Sequence, residues 1–482
     1  MEEPTVVTLV GRVTVYTVTG CLHCIRTKTR LVELGLPYSE VDLRKHRHLR
    51  EKIRELTGRS TVPQIFFNNV HVGGNSEFQK MSKEELDRLI ELVKNEELPP
   101  NAPPLPDMTE EEDDTRDAEL KCERDEYADI VVEFKQAGII GTNRSGLKVH
   151  KHTFSGRQLV KWMNNNKGFD EGKAVDVGKK LVSKKFINPL HGKPEFEDSD
   201  ALYKLVEHDK AAALNIGTTA ECYSVPATEH SEAMRELVLN LYAEYISPDG
   251  KRVDYKAMAK STMFQSYCQL AIQLQRVEVD NLTRKEKLAF FINVYNALVI
   301  HAQIIYGQPK NVWQRYRFFN IASYVIGGEI FSLQSIENGV LRANQRGIAQ
   351  IMKPFSSSDP QLKIALMEPE PLIHFALNCG ARSCPAIQIF NAKDVDALLI
   401  TAAEGFLEGD DGCSVNLGKR EIRLSQIFKW YKVDFGGTDR KVAAWVYNHM
   451  ADGIKKRDMK KLLDSSSYKL SYLPYDWRSN AK

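Results

Sequence analysis

Two cysteines near the N-terminus have the spacing of a thiol–disulfide exchange site. Cys21 and Cys24 follow a run of β-branched and aromatic residues from Val13 to Val18, which predicts a β-strand, and a helical pattern begins directly after them. If the helix begins at the pair, its unsatisfied N–H groups and the positive end of its dipole point at Cys21. Such a position lowers the pKa of a thiol from about 8.5 into the range ~3.5–7.5. We therefore predict that Cys21 attacks disulfides as a thiolate and that Cys24 resolves the mixed disulfide that forms.

His23 lies between the two cysteines and is a further candidate catalytic residue. An imidazolium ion beside the thiolate would stabilise it further. The alternative interpretations are a structural zinc half-site and a pair of inert buried thiols. Zinc needs further ligands, and the sequence contains no second Cys-x-x-Cys pair. We therefore expect a redox site without a bound metal, with His23, Cys21 and Cys24 as the candidate catalytic residues.

The composition narrows the class of protein. The chain has 482 residues, enough for roughly two to four domains. Its 66 basic and 64 acidic residues leave a formal net charge of +2, so the overall charge indicates no nucleic-acid partner. The eight cysteines are scattered, unlike those of secreted disulfide-rich proteins, and the acidic N-terminus lacks the pattern of a signal peptide. The apolar segment from Leu288 to Tyr306 contains polar side chains, which favours a buried helix over a membrane span. We expect a cytoplasmic protein with reduced cysteines.

The elements around the cysteine pair are predicted in the order β-α-β-α-β-β-α over residues 1–98. Thr61-Val62-Pro63 forms a turn around proline that leads into a strand, and Gly73-Gly74-Asn75-Ser76 precedes the last helix, which starts at a capping box of Ser82 and Glu85. Together with the cysteine pair, these two segments closely resemble glutaredoxin, which has a thioredoxin-like fold. Thioredoxin shares the cysteines and the proline but not the Gly-Gly-x-Ser segment.

The resemblance implies glutathione as co-substrate. In that family the proline is cis and presents the backbone of Val62 to the cysteinyl part of glutathione. The Gly-Gly segment permits close approach, and the N–H groups of the following helix hold the γ-glutamyl carboxylate. The residues implied in glutathione binding are Thr61, Val62, Pro63, Gly74, Asn75, Ser76 and Glu77.

Three positions depart from the family. Val18 stands where a lysine is usual, Leu22-His23 where Pro-Tyr is usual, and Glu77 where an aspartate is usual. The lysine supplies charge to both the thiolate and the glutathione carboxylate. The candidate substitutes for that charge are Arg26, Lys28 and Arg59.

A second resemblance follows a proline-rich and acidic segment, residues 99–118, which predicts a stiff solvated linker. A basic hairpin from Asn143 to Phe154, a helix around Trp162 and a closing Tyr203-x-Leu205 strand resemble a DEP domain over residues 119–208. That family is winged-helix-like and docks to acidic membranes or signalling proteins. The candidate patch on the hairpin consists of Arg144, Lys148 and Lys151, and a solvated hairpin with no lipid role is the alternative.

Residues 231–480, after a linker at 209–230, resemble the family called domain of unknown function 547. The resemblance is carried by a long helix capped by Thr283 and Glu286, by the segment from His374 to Pro385, and by Tyr475-Asp476-Trp477. We expect a mainly helical α+β domain. Its candidate site residues are His301, His374, Cys379 and Cys384. A Cys384 nucleophile with a histidine base, a switchable Cys379–Cys384 disulfide and a purely structural loop all remain open.

The predicted fold class is therefore multidomain, α/β and α+β. The first functional hypothesis is a glutathione-dependent oxidoreductase that acts on disulfide-bonded or glutathionylated proteins. In this hypothesis the DEP domain tethers the enzyme to membrane lipid or to a signalling protein. The alternatives are a non-catalytic redox-sensing signalling adaptor and a C-terminal hydrolase or transferase using cysteine and histidine.

Overall fold

The structure of the protein is a computed structural model. It describes residues 8–18, 21–43, 45–46, 48–59, 61–106, 122–191, 195–208, 213–247, 252–348, 350–381, 384, 390–465, 467–478 and 480–482. Gly20 at the predicted turn, the acidic run 107–114, and Arg382, Ser383 and Pro385 lie outside the described residues.

The N-terminal region has the predicted order of elements, with one short helix added before the last. Its described elements are β1 (Val13–Thr17), α1 (Leu22–Glu33), β2 (Ser39–Asp42), α2 (Leu49–Thr57), β3 (Gln64–Phe67), β4 (Val70–Gly73), α3 (Asn75–Lys80) and α4 (Lys83–Asn95). The sheet order is β2-β1-β3-β4, with β1 parallel to β2 and the other neighbours antiparallel. This confirms the thioredoxin-like arrangement.

The alternation of residues along β1 explains why helices cover both faces of this sheet. Val13 and Val15 pack on one face with residues of α1, α3 and α4, whereas Tyr16 packs on the other face with residues of α2. Ser82 caps α4 by accepting a hydrogen bond from the Glu85 N–H at 3.2 Å, as the capping box predicts. The sheet thus holds the end of β1, where the cysteine pair begins, in a fixed position.

Residues 99–106, predicted as the start of a solvated linker, instead pack against β1. The Arg12 guanidinium donates to the carbonyl of Pro103 at 2.6 Å, and the Tyr16 hydroxyl donates to the carbonyl of Pro104. Pro103 is buried. The composition of this segment predicts exposure to solvent, but its proline carbonyls accept hydrogen bonds from Tyr16 in β1 and from Arg12, which directly precedes β1.

The middle region confirms the elements predicted for the DEP domain. They are α5 (Glu126–Gln136), β5 (Gly141–Ser145), β6 (Lys148–Ser155), α6 (Gly156–Lys167), α7 (Glu171–Ser183), β7 (Ile187–Pro189) and β8 (Leu202–Leu205). The strand order is β5-β6-β8-β7. Trp162 is a core residue whose ring lies 5.2 Å from that of Phe134.

The C-terminal region is mostly helical, with two small sheets, β9–β10 and β11-β12-β13. Its described helices and strands are α8 (Ala227–Tyr245), α9 (Tyr255–Met258), α10 (Thr262–Gln273), α11 (Arg284–Tyr306), α12 (Val312–Ile321), β9 (Ser323–Ile326), β10 (Glu329–Ser332), α13 (Val395–Glu408), β11 (Cys413–Asn416), β12 (Glu421–Leu424), α14 (Ile427–Trp430), α15 (Asp439–Asn448), α16 (Ile454–Ser465) and β13 (Lys469–Tyr472). A π-helix, Ser335–Leu341, and short 3₁₀ helices such as Pro371–Phe375 lie between them.

The long apolar helix α11 is a core element. Among the described helices it is the one that length and composition would allow to cross a membrane, yet 89% of its most apolar window is buried inside the protein. Thr283 and Glu286 form the predicted capping box at its start.

The chain divides into two compact units that do not follow the linear order of the sequence. Unit 1 consists of Met1–Ala118, Val238–Ala259 and Pro369–Lys482, and unit 2 consists of Glu119–Leu237 and Lys260–Glu368. The N-terminal sheet therefore shares a unit with the last quarter of the chain.

One disulfide contradicts the expectation that all cysteines are reduced. Cys122 and Cys222, both in unit 2, are bonded to each other across a sequence separation of 100. An antiparallel bridge between Arg124 and Cys222 holds their segments together. Nothing in the local sequence around either cysteine indicates this pairing, because it depends on contacts between distant segments.

Candidate active site

The cysteine pair sits at the start of α1, as its spacing predicts. Cys21 is the N-cap residue, and its Sγ accepts a hydrogen bond from the backbone N–H of Cys24 at 3.2 Å. Cys21 has 9% of its surface exposed and Cys24 has 2%. Cys21 is therefore the more accessible cysteine of the pair.

The two thiols have opposite acidities. The hydrogen bond from the Cys24 thiol lowers the pKa of Cys21 below its usual value; burial opposes this, while backbone N–H groups and the charge of Lys28 assist it. Burial, and the hydrogen bond and charge of Cys21, raise the pKa of Cys24 well above its usual value. Cys21 is thus the more acidic thiol of the pair and Cys24 the less acidic, which is the order that a nucleophile and a resolving thiol require.

His23 does not supply the positive charge expected from the sequence. Desolvation of its ring, helped by the charge of Arg26, lowers its pKa to about 4, although the residue as a whole is exposed. The imidazole is neutral at pH 7, so the expectation of an imidazolium beside the thiolate is wrong. Its Nδ1 lies 3.5 Å from the side-chain nitrogen of Asn75, which places His23 on the wall of the site.

The backbone of Val62 forms the wall opposite the nucleophile. The Val62–Pro63 peptide bond is cis, as the resemblance implies, and Cys21 Sγ lies 3.9 Å from the Val62 carbonyl oxygen. Asn75, at the start of α3, accepts a hydrogen bond from the hydroxyl of Thr27 on α1 at 3.2 Å. The implied groove residues are thereby held next to the cysteine pair.

Arg59 and Glu77 form the charged end of the groove. Their side chains are 2.7 Å apart, and Glu77 also accepts a hydrogen bond from the N–H of Gly74 at 3.1 Å. Burial opposes the ionisation of Glu77, but Arg59 and these N–H groups outweigh it and lower the pKa of its carboxyl group. Of the three substitutes for the missing lysine, Arg59 lies at this end of the groove, whereas Lys28 pairs with Glu40 at 2.8 Å and acts on the thiolate.

The segment around the end of α13 borders the same groove within unit 1. Asp410 pairs with Lys80 at 2.5 Å, and Gly405 approaches so closely that a Cβ atom there would lie 3.4 Å from Thr61 Cγ2. The charge of Glu408 acts on Arg59, and burial raises the pKa of Glu408. Sequence reasoning did not find these residues, because they lie more than 300 positions from the cysteine pair.

The residues of the predicted basic patch all lie on the β5–β6 hairpin, and their side chains are exposed. Arg144 pairs in register with Val149, and Lys148 with Ser145, so the three cations lie on both faces of the hairpin rather than on one. Leu147 at the tip is fully exposed, and Val149 is 54% exposed. The sequence analysis did not identify Leu147 and Val149 as exposed apolar residues between the cations.

The candidate residues of the C-terminal region are divided between the two units, with His301 in unit 2 and His374, Cys379 and Cys384 in unit 1. His301 Nδ1 bonds to the hydroxyl of Tyr324 at 2.8 Å, and His374 Nε2 bonds to Asp434 at 2.8 Å. Cys379 and Cys384 lie with their sulfur atoms 3.0 Å apart. Among the described residues no histidine lies within hydrogen-bonding distance of either sulfur. A group of three or more His, Cys, Asp or Glu side chains arranged to hold a metal ion is also absent from that part of the chain.

Comparison with known proteins supports this reading of the N-terminal site. Family models match in order along the chain: Glutaredoxin at residues 13–72, the Domain found in Dishevelled, Egl-10, and Pleckstrin (DEP) at 139–205, and Protein of unknown function, DUF547 at 279–407. Glutaredoxin 1 of Rickettsia felis is 36% identical over 88 residues, which cover 86% of that protein and 18% of this chain.

Two further relatives match the same region. Glutaredoxin of Pseudomonas aeruginosa is 33% identical over 79 residues, which cover 94% of that protein and 16% of this chain. A solution structure of glutaredoxin from Brucella melitensis is 36% identical and is matched over 92% of its length and 18% of this chain, with a TM-score of 0.16. The chain thus belongs, through its N-terminal region, to the glutaredoxin family, and it carries a DEP domain and a DUF547 region after it.

Proposed function

We propose that the N-terminal region is a glutathione-dependent thiol–disulfide oxidoreductase with Cys21 as nucleophile and Cys24 as resolving thiol. The observation that carries the proposal is the position of Cys21 at the N-cap of α1, with a lowered pKa and its sulfur facing the carbonyl of Val62. The substrates are glutathionylated proteins and proteins with a disulfide bond, and glutathione is the reductant.

The reaction consists of successive disulfide exchanges. The Cys21 thiolate attacks the glutathione sulfur of a protein–glutathione disulfide, and the protein leaves as a thiol after taking up a proton. A second glutathione, as its thiolate, then attacks the Cys21–glutathione disulfide; glutathione disulfide leaves and the Cys21 thiolate returns. With a protein disulfide as substrate, the Cys21 thiolate first attacks one of its sulfur atoms, and the other leaves as a thiol after taking up a proton. Cys24 then loses its proton and attacks Cys21, which forms a Cys21–Cys24 disulfide and releases the second protein thiol. Two glutathione molecules reduce that disulfide in two exchanges and leave as glutathione disulfide.

We assign the polar groups of the groove to glutathione on the basis of their charge and position. The backbone of Val62 lies beside the sulfur and suits the cysteinyl part of the tripeptide. Arg59 is the cation at the charged end of the groove and suits a carboxylate, although Glu77 already occupies it in part. Removal of Arg59 therefore weakens glutathione binding more than it changes the reactivity of Cys21.

The test is glutathione-coupled reduction of a small disulfide, 2-hydroxyethyl disulfide, by the full chain. Cys21→Ser is expected to abolish turnover. Cys24→Ser is expected to retain this activity, which needs one thiol, and to lose reduction of a protein disulfide. Cys413→Ser is the matched control, because that cysteine is buried and burial raises its pKa to about 11. Absence of turnover from the unaltered protein would refute the proposal and leave the redox-sensing adaptor.

We further propose that the β5–β6 hairpin docks the chain to an anionic membrane surface. Exposed cations near such a surface contribute about 1 kcal/mol each. The exposed Leu147 favours a lipid partner, since an apolar side chain at the tip can enter the interface while the neighbouring cations contact headgroups.

Co-sedimentation with vesicles that contain phosphatidylserine tests this docking. Glutamine at Arg144, Lys148 and Lys151, or serine at Leu147, is expected to release the protein from the vesicles. The matched control replaces three exposed cations elsewhere in the same domain, namely Arg157, Lys161 and Lys180. Equal loss of binding in the control, or binding that persists without the patch, contradicts the assignment.

A further inference from the structure

The C-terminal part of unit 1 contains a second pair of close thiols. Cys379 Sγ and Cys384 Sγ are 3.0 Å apart, and the N–H of Cys379 donates to Cys384 Sγ at 3.3 Å. Both side chains are partly exposed. Cys413, also in unit 1, is fully buried and has no such partner among the described residues. The two sulfur atoms thus lie close to each other, and both side chains are partly accessible to a substrate, as thiol–disulfide exchange requires.

The residues that lead to Cys379 are anchored by side-chain contacts. The 3₁₀ helix Pro371–Phe375 is anchored by His374, which bonds to Asp434 and stacks on Tyr431 with ring centres 3.9 Å apart. Asn378 accepts a hydrogen bond from the N–H of Gly380, whose φ of 81° turns the chain back. These contacts hold Cys379 in place beside Cys384 Sγ, which lies 3.0 Å from its own sulfur.

An aromatic hydroxyl completes the site. The hydroxyl of Tyr475 lies 3.4 Å from Cys384 Sγ and 3.8 Å from Cys379 Sγ. The ring of Tyr475 packs against Trp430 and Trp477, with ring centres 4.9 and 4.6 Å away. Tyr475 can therefore donate a hydrogen bond to a thiolate at Cys384, while its ring is held in place by two larger aromatic side chains.

One thiol of this pair is more acidic than the other, as in the N-terminal pair; here the more acidic thiol is Cys384. Burial acts to raise the pKa of Cys384, but hydrogen bonds from the Cys379 thiol, from Tyr475 and from backbone N–H groups outweigh it and lower the pKa to about 7. The hydrogen bond to Cys384, with burial, raises the pKa of Cys379 well above its usual value. Cys384 is thus the nucleophile of the pair, and Cys379 is its resolving partner.

We infer that Cys379 and Cys384 form a second thiol–disulfide centre, which accepts oxidising equivalents from small or protein disulfides. The Cys384 thiolate attacks one sulfur of the substrate disulfide, and the other sulfur leaves as a thiolate that takes up a proton. Cys379 then loses its proton and attacks Cys384 Sγ, which forms the Cys379–Cys384 bond and expels the second substrate thiol. The substrate disulfide is reduced by two electrons and the protein dithiol is oxidised by two. This inference does not depend on the function proposed for the N-terminal region.

The sequence provides a direct readout of the bond. Trypsin cleaves after Arg382, so Cys379 and Cys384 end in separate peptides, residues 364–382 and 383–393, and neither contains another cysteine. The two peptides stay together only when the disulfide has formed. The full chain carrying Cys21→Ser and Cys24→Ser is equilibrated in buffers of graded glutathione to glutathione disulfide ratio, alkylated, digested and measured by mass spectrometry.

We expect linked peptides to be absent in excess glutathione and to predominate in excess glutathione disulfide. Cys379→Ser is expected to abolish the linked species and to leave one glutathione on Cys384, whereas Cys413→Ser changes neither. Peptides that stay unlinked at every ratio would overturn the inference, as would a Cys379→Ser protein that takes up no glutathione on Cys384.

A second measurement tests the site without removing either cysteine. Cys268 is also partly exposed, and burial raises its pKa to about 11. Thiolate fraction and nucleophilicity together predict that iodoacetamide at pH 7 alkylates Cys384 on the order of 100-fold faster than Cys268. Tyr475→Phe is expected to narrow that difference and to shift the pH profile of Cys384 alkylation upward. Equal rates for the two cysteines would show that the pair is structural.

Discussion

The Cys122–Cys222 disulfide encloses the DEP domain in a covalent loop, and its removal has a calculable effect. A cross-link stabilises a fold mainly by restricting the conformations of the unfolded chain. For a closed loop of about 100 residues, this effect adds at most about 4.7 kcal/mol to the free energy of unfolding, and native disulfides commonly contribute ~2–4 kcal/mol. The separation of 100 places this bond at the long-loop end of the scale. We expect Cys122→Ala to lower the free energy of unfolding of this region by about 2–4 kcal/mol.

The rest of the structure should hold the native geometry when the bond is absent. The N–H of Asp125 donates to the Glu221 carbonyl at 2.8 Å, and the N–H of Tyr223 donates to the Glu123 carbonyl at 2.8 Å. Asp125 is buried, forms an ion pair with Arg276 and caps α5. These contacts keep the two segments paired, so the variant should lose stability and not its fold.

Hydrogen–deuterium exchange resolved by peptide is the suitable assay, because the chain has several domains and no single unfolding transition is expected. A loss of 2–4 kcal/mol corresponds to a fall of about 30- to 900-fold in protection of the most stable amides of α6 and α7. Reduction of the unaltered protein by a phosphine should give the same fall, and Cys268→Ser should give none. Unchanged protection in Cys122→Ala would refute the loop-entropy reasoning.

Three further predictions concern charge. His23→Ala should leave the pH profile of alkylation of the nucleophilic thiol unchanged, because the imidazole is neutral near pH 7, whereas Lys28→Gln should shift that profile upward. Glu408→Gln should lower the KM for glutathione in the disulfide-reduction assay. The substitution removes one of the two carboxylates whose charge acts on Arg59, so a carboxylate of glutathione meets less repulsion there. An unchanged KM would mean that Arg59 does not bind the substrate. Burial lowers the pKa of His301 to about 4, so the unfolded chain binds protons first as the pH falls from about 6.5, and stability is lost down to pH 4 by about 3 kcal/mol; exchange protection of the most stable α11 amides, corrected for intrinsic rates, should fall less between pH 7 and pH 4.5 in His301→Gln than in the unaltered protein.

The parts of the site that depend on neighbouring residues were predictable from the sequence. The helix start at Cys21, the turn at Pro63 and the helix cap at Ser82 each rest on short-range backbone chemistry, and the structure has all three. The hairpin and helices of the DEP domain follow likewise from alternation and helical spacing.

The parts that depend on distant pairs could not be predicted. Tyr475 lies 91 residues from Cys384 along the chain, and Cys122 lies 100 residues from its partner. The charge on His23 was wrongly predicted because desolvation is set by tertiary packing and not by the residues on either side. Residue types identified the candidate thiols, but only the fold determines which of them are acidic.

The packing of residues 99–106 on the first strand affects how the protein can be dissected. A fragment excised at residue 98, where the sequence suggests that the domain ends, would lack the carbonyl acceptors at Pro103 and Pro104 that Arg12 and Tyr16 use. Catalysis measured on such a fragment would describe a domain in which Arg12 and Tyr16 have lost these hydrogen-bond partners. An N-terminal fragment intended to represent this region should therefore extend through Pro106.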